Sequence, residues 1–205
     1  MAENSLPRAP PCENAPMKQY VAALACAAAV YATAQSSAIP APEGWRAESF
    51  LFPLQFAPSI PYEGVEYVRF APTWQRFDSE GGFSYVILWD VKTQPVTPED
   101  LEDYLEVYFT GLMKNVGMQR KLSDKEIKTA AAVHPMAALA SWEQGYGIEV
   151  RTWNAFSRGE ALLLNGEVGQ RTCGERMQIF FAFSRLPRDQ PIWNRLRDVR
   201  KATTC

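Results

Sequence analysis

The chain is short of the residues that most catalytic and metal sites require. Its 205 residues include one histidine, His134, and four cysteines, so a histidine-rich zinc site is excluded within one chain. It has no H-E-x-x-H, G-x-S-x-G, P-loop or G-x-G-x-x-G motif. Those absences remove the sequence signatures of zincins, α/β-hydrolases, P-loop nucleotide hydrolases and dinucleotide enzymes. A Ser/His/Asp or Cys/His triad would need His134 as its base, and a lone histidine before Pro135 reads more simply as structural or exposed. No metal and no cofactor is expected. Charge of one sign is also lacking: 21 basic and 23 acidic residues leave a net charge of −2, which gives no global attraction for nucleic acid. No apolar run after the leader described below reaches the roughly 17–25 residues of a membrane-spanning helix, so the mature chain is expected to have none.

What is present is an ordinary globular composition, 47% hydrophobic and 21% charged, enough for one sizeable core and too ordered for a disordered chain. The strongest pattern lies at the front. Met17-Lys18 precedes an apolar stretch, Tyr20 to Ala34, and Ala32-Thr33-Ala34 supplies a small-x-small cleavage site before Gln35. A basic start, a short apolar core and such a site make a secretory signal peptide over residues 17–34. Residues 1–16, with three prolines from Pro10 to Pro16 and two acids, are wrong for a signal-peptide start and read as an upstream start artefact. Ala23-Leu24-Ala25-Cys26 resembles a lipoprotein site poorly, because leucine stands two rather than three places before the cysteine. Periplasmic or secreted export is favoured, and a lipid-anchored envelope protein is the minor alternative.

Cleavage at Ala34 would leave Cys173 and Cys205, an even pair that reads as a disulfide in an oxidising compartment. Such a bridge would staple a C-terminal helix to the region near Cys173. Residues 35–43, rich in alanine, serine and proline, read as a linker, and residues 44–205 as a single domain.

Within that domain, the segment from Trp45 to Trp89 holds twelve of the chain's 25 aromatic residues. Phe56-Ala57-Pro58 and Phe70-Ala71-Pro72 are expected to end short strands, since proline lacks a ladder donor. Phe83-Ser84-Tyr85-Val86-Ile87-Leu88-Trp89 predicts a strand covered on both faces, with Phe83, Tyr85, Ile87 and Trp89 on one side and Val86 and Leu88 on the other. Thr97 as N-cap and Pro98 at the first position open a helix whose apolar stripe runs from Leu101 through Tyr108 to Val116, with Gly117 as its C-terminal stop. Lys121–Glu143 is ambiguous: Ser123 and Glu126 suggest a capping box, but Pro135 would break a long helix, and a strand is expected around Ile127–Val133. Three strands follow, over 147–156, 161–169 and 176–185, and a last helix after Pro191 buries Ile192, Trp193, Leu196 and Val199. The fold class is α+β: one domain, a mainly antiparallel sheet, one central and one C-terminal helix.

Several of these segments together resemble a group of uncharacterised exported bacterial proteins: Phe52-Pro53-Leu54-Gln55-Phe56-Ala57-Pro58, Arg69-Phe70-Ala71-Pro72, Tyr108-Phe109-Thr110-Gly111-Leu112, Cys173-Gly174 and the closing Cys205. The resemblance covers roughly residues 44–205 and implies export, a single domain and the terminal disulfide. It implies no activity.

Two kinds of site remain. Aromatic excess places Trp74 and Phe77 in a loop near Tyr85 and Trp89, where they are expected to bind a small apolar molecule; the bland reading is a large aromatic core. Paired carboxylates are the alternative, because a glycoside hydrolase needs only two: Glu63 with Glu66, Asp78 with Glu80, and Asp90 are the candidates. Glu99, Asp100, Glu102, Asp103 and Glu106 are read as the first turns and solvated face of the helix, and Asp78–Gly82 as a plain acidic turn rather than a calcium loop. Arg185, Arg188, Arg195, Arg197, Arg200 and Lys201 concentrate positive charge near the C-terminus, either for an anionic partner or as complement to the helix dipole. The expectation is a non-catalytic exported domain that binds a small apolar ligand or an envelope protein, with a carboxylate-dependent hydrolase of envelope glycans as the alternative.

Overall fold

The computed structural model describes residues 38–120, 128–137, 139, 141–157 and 159–205. The expected signal peptide, upstream segment and Ser123–Glu126 capping box lie outside them. The elements are β1 (Arg46–Leu51), β2 (Gly64–Phe70), β3 (Tyr85–Val91), α1 (Pro98–Gln119), β4 (Ala130–Pro135), β5 (Gln144–Asn154), β6 (Glu160–Cys173), β7 (Arg176–Ser184) and α2 (Ile192–Ala202). They form an α+β domain with a seven-stranded sheet in the order β1-β2-β3-β7-β6-β5-β4, every pairing antiparallel.

Strand alternation divides the core in two. Tyr85, Ile87 and Trp89 of β3, with Phe181 and Phe183 of β7, face α1; Val86 and Leu88, with Phe180 and Ala182, face α2. That is the two-sided burial read from the β3 sequence, and it makes a helix–sheet–helix sandwich. Phe83 joins the α1 side from the turn before β3, at φ 50°. The second core also holds Ile39, fully buried, and the Ile39 carbonyl accepts from Arg69 Nη2 at 3.0 Å. Residues 38–43 are therefore not a linker: the packed unit runs Ala38–Cys205.

Thr97 caps α1 as expected, its Oγ1 accepting from the Asp100 N–H at 3.1 Å. Gly117 does not stop the helix. It is buried, with the Ala155 methyl 3.9 Å from where its own Cβ would stand, and α1 continues until Arg120 turns to donate to the Ala155 carbonyl at 3.1 Å. Gly111 permits a closer approach: a Cβ there would lie 1.7 Å from the Phe56 carbonyl oxygen. The Phe56-Ala57-Pro58 repeat ends no strand; it lies in a turn-rich segment joined by a Leu54–Ala57 bridge, and Gly111 is where α1 rests on it. Phe70 does end β2.

The helix acids are not all solvated. Glu106 Oε1 accepts from the Ala131 N–H at 3.1 Å and Glu102 Oε1 from the Val133 N–H at 2.7 Å, so two carboxylates one helical turn apart satisfy the outer edge of β4. Cys173 and Cys205 form a disulfide with Cα atoms 5.4 Å apart. It joins the β6–β7 hairpin to the residues after α2. Among the described residues no helix is long and apolar enough to cross a membrane.

Candidate functional site

A cavity of about 380 Å³ opens between α1 and the β1–β2–β3 end of the sheet. Register builds its floor. Arg46, Phe70 and Tyr85 lie side by side across the three strands, as do Glu48, Val68 and Ile87, and then Phe50, Glu66 and Trp89. These rows face α1, which contributes Tyr108, Leu112 and Val116; the loop between β2 and β3 adds Trp74 and Phe83, and the β5–β6 turn adds Phe156. The aromatic wall is continuous: Trp74 stacks on Phe70 at 4.6 Å between centroids and meets Phe156 edge-on at 5.4 Å. The cavity exists because β1 runs to the sheet edge beyond α1's reach, leaving Phe50 41% exposed.

Two carboxyls, Glu48 and Glu66, interrupt this aromatic lining. Glu66, on β2, is fully buried. Its Oε2 accepts from Trp89 Nε1 at 2.7 Å and its Oε1 from the Tyr108 hydroxyl at 3.2 Å. Burial pushes its pKa up from 4.5 to about 7, although the two hydrogen bonds pull the other way. Both donors are neutral, and among the described residues no cationic group pairs with it. Burial also holds Tyr85 and Tyr108 well above the ordinary tyrosine value, with the nearby Glu66 charge adding to it, so both remain hydroxyls. At the mouth, Arg46 pairs with Glu48 and lies over the Phe70 ring.

The four residues expected to bind a ligand separate here. Trp74 and Tyr85 line the cavity. Trp89 lies beneath it, fully buried, and acts through its hydrogen bond to Glu66. Phe77 packs behind Phe83 at 5.3 Å and is not part of the wall. Neither loop aromatic is exposed: both are half-buried against the core.

The expected carboxylate pairs do not converge. Glu63 stands outside, its side chain 81% exposed and 3.6 Å from Lys92. Asp90 is held by Arg176 at 2.6 Å. Asp78 and Glu80 are exposed in a turn organised by Ser79, whose hydroxyl donates to the Arg76 carbonyl at 2.7 Å. His134 is exposed on β4, the edge strand opposite the cavity. Among the described residues no group of three or more His, Cys, Asp or Glu is placed to hold a metal ion. The C-terminal cations are largely spoken for within the fold. Arg197 and Arg200 bind the buried Glu167 at 2.6 and 2.5 Å, Arg188 donates to the Ile148 and Gly166 carbonyls, and Arg195 covers Trp45.

Glu66 itself was in view only as half of a pair with Glu63. The signal that singles it out is its parity: in Gly64–Phe70 it shares the inward face with Val68 and Phe70, a charged residue at a core position of a strand. Tyr108 and Phe156, read as core and strand end, are its less legible companions. No family model, no curated protein and no solved structure matches the chain.

Proposed function

We propose that this is an exported, non-catalytic domain that binds a small apolar ligand in the cavity between α1 and β1–β3. The observation that carries the reading is the lining: eight aromatic side chains, from Phe50 and Phe56 to Phe156, surround a space of about 380 Å³, within the range of roughly 300–1,000 Å³ that small-molecule sites occupy. Export rests on the leader pattern of residues 17–34, and the Cys173–Cys205 disulfide suits an oxidising compartment.

Native mass spectrometry of the protein recovered from the periplasm tests this. A noncovalent adduct lost on denaturation supports the reading. Val116→Trp, which fills the cavity from α1, is expected to abolish the adduct while preserving the thermal transition. An adduct of unchanged occupancy in that variant overturns the assignment to this cavity.

One observation favours a second reading. Glu48 and Glu66 occupy diagonal positions on neighbouring strands and line the same cavity; one carboxyl is held up by burial and the other is paired with Arg46. A carboxyl raised by burial beside a second carboxyl held by a cation is the pattern of a carboxylate hydrolase. Glycan-fragment hydrolysis lost in both Glu66→Gln and Glu48→Gln would establish the enzyme in place of the binding domain.

A further inference from the structure

Resting on that binding site, we propose that the ligand is a cationic amphiphile: an apolar body among the cavity aromatics and a protonated amine directed at Glu66. The argument is one of complementarity. Glu66 lines the cavity, has no cationic partner among the described residues, and accepts one hydrogen bond at each oxygen, from Trp89 and Tyr108. Each carboxyl oxygen can accept a second, so acceptor capacity remains at the floor of a mainly aromatic space.

The remaining groups that face it point the same way. Tyr85 and Tyr108 are neutral phenols. Glu48 is a second acid of the lining, and Arg46, the one cation among its described residues, is paired with it. Aromatic rings attract a cation at their faces rather than an anion, and the lining is rich in them. A fatty-acid carboxylate would meet two acids and no unpaired base. An alcohol would satisfy Glu66's free lone pairs but supply no charge. An ammonium supplies both charge and donors.

The test is calorimetric titration of the full chain at about pH 8, where Glu66 is ionised and an alkylamine is protonated, using n-octylamine, n-octanol and octanoate. Octylamine is expected to bind about tenfold or more tighter than octanol, with octanoate weakest. Glu66→Gln is expected to erase the amine preference while keeping octanol binding. Glu63→Gln, which removes the same formal charge from an exposed position, is expected to leave the preference intact. Equal binding of amine and alcohol, tightest binding of octanoate, or a preference that survives Glu66→Gln overturns the amine inference and leaves the cavity as an apolar site. Failure of all three probes to bind overturns the binding reading with it. Thermal melts of each variant verify folding before titration.

Discussion

Replacing Glu66 with glutamine should remove a destabilising term that grows as pH rises from about 5 to 8. Burial raises the carboxyl from 4.5 to about 7 in the folded state, so over that interval the folded protein binds a proton that the unfolded chain has released. Linkage then makes the group's contribution complete below the unfolded value and lost as pH rises through the folded one. A shift of that size corresponds to about 3.4 kcal/mol at about 1.36 kcal/mol per unit, of which about 2.5 kcal/mol falls between about pH 5 and pH 8. Glutamine keeps the shape and an acceptor for Trp89 but cannot ionise. Urea melts of wild type and Glu66→Gln at the two pH values isolate the term, because every other titrating group cancels. The variant should gain about 2.5 kcal/mol on wild type from the lower pH to the higher, or about 5–10 °C in melting temperature for a domain of this size. Glu167 does not confuse the result. Burial raises its pKa, but hydrogen bonds from Arg197 and Arg200 outweigh this and hold it below the ordinary value. Its contribution is therefore lost only as pH falls below the glutamate range. Stability curves for the two proteins that run parallel would refute the buried, unpaired carboxyl.

Three further outcomes check the fold. Gly111→Ala should destabilise by about 2 kcal/mol or more through overpacking, although alanine is the better helix former by about 1 kcal/mol, because its methyl would run into the Phe56 carbonyl; a stabilised variant in urea melts refutes that contact. Cys205→Ser should cost about 3.5 kcal/mol in the chain-entropy model for a bridge spanning a separation of 32 residues, and reductant should then leave its melt unchanged; wild-type melts indifferent to reductant would contradict the staple. The double variant Glu102→Ala and Glu106→Ala should accelerate amide exchange at Ala131 and Val133 by tenfold or more, each charged hydrogen bond being worth about 1.5–3 kcal/mol. Unchanged protection at those two amides would show that something else guards the β4 edge.

The elements that local chemistry determines were the ones the sequence disclosed. Thr97 with Pro98 marks a helix start by hydrogen-bonding geometry alone, and the alternation from Phe83 to Trp89 places side chains on two faces whatever packs there. The cysteine pairing followed from the expected cleavage site, which leaves an even count of two. What stayed hidden depends on partners distant in sequence. Gly117 looks like a helix stop until Ala155 is seen against it, and Phe56-Ala57-Pro58 looks like a strand end until α1 is found resting on its backbone through Gly111. Glu102 and Glu106 look like a solvated face because the strand edge they satisfy lies beyond an ambiguous stretch. The cavity was half legible: aromatic density announced Trp74 and Tyr85. Glu66 becomes distinctive only when β2 is aligned between Phe50 and Trp89 and the Tyr108 hydroxyl arrives from the helix.

The strand order has a consequence for how the domain comes into being. β7 lies in the middle of the sheet, between β3 and β6, yet it is the last of the seven described strands in chain order. Until it emerges, β1–β3 and β4–β6 are two half-sheets with bare inner flanks, and α2 has nothing to cover. Such non-local pairings carry the full entropy of closing the chain before any contact rewards it, and they fold slowly. The segment from Arg176 onward is therefore the piece that joins the two half-sheets and closes the domain.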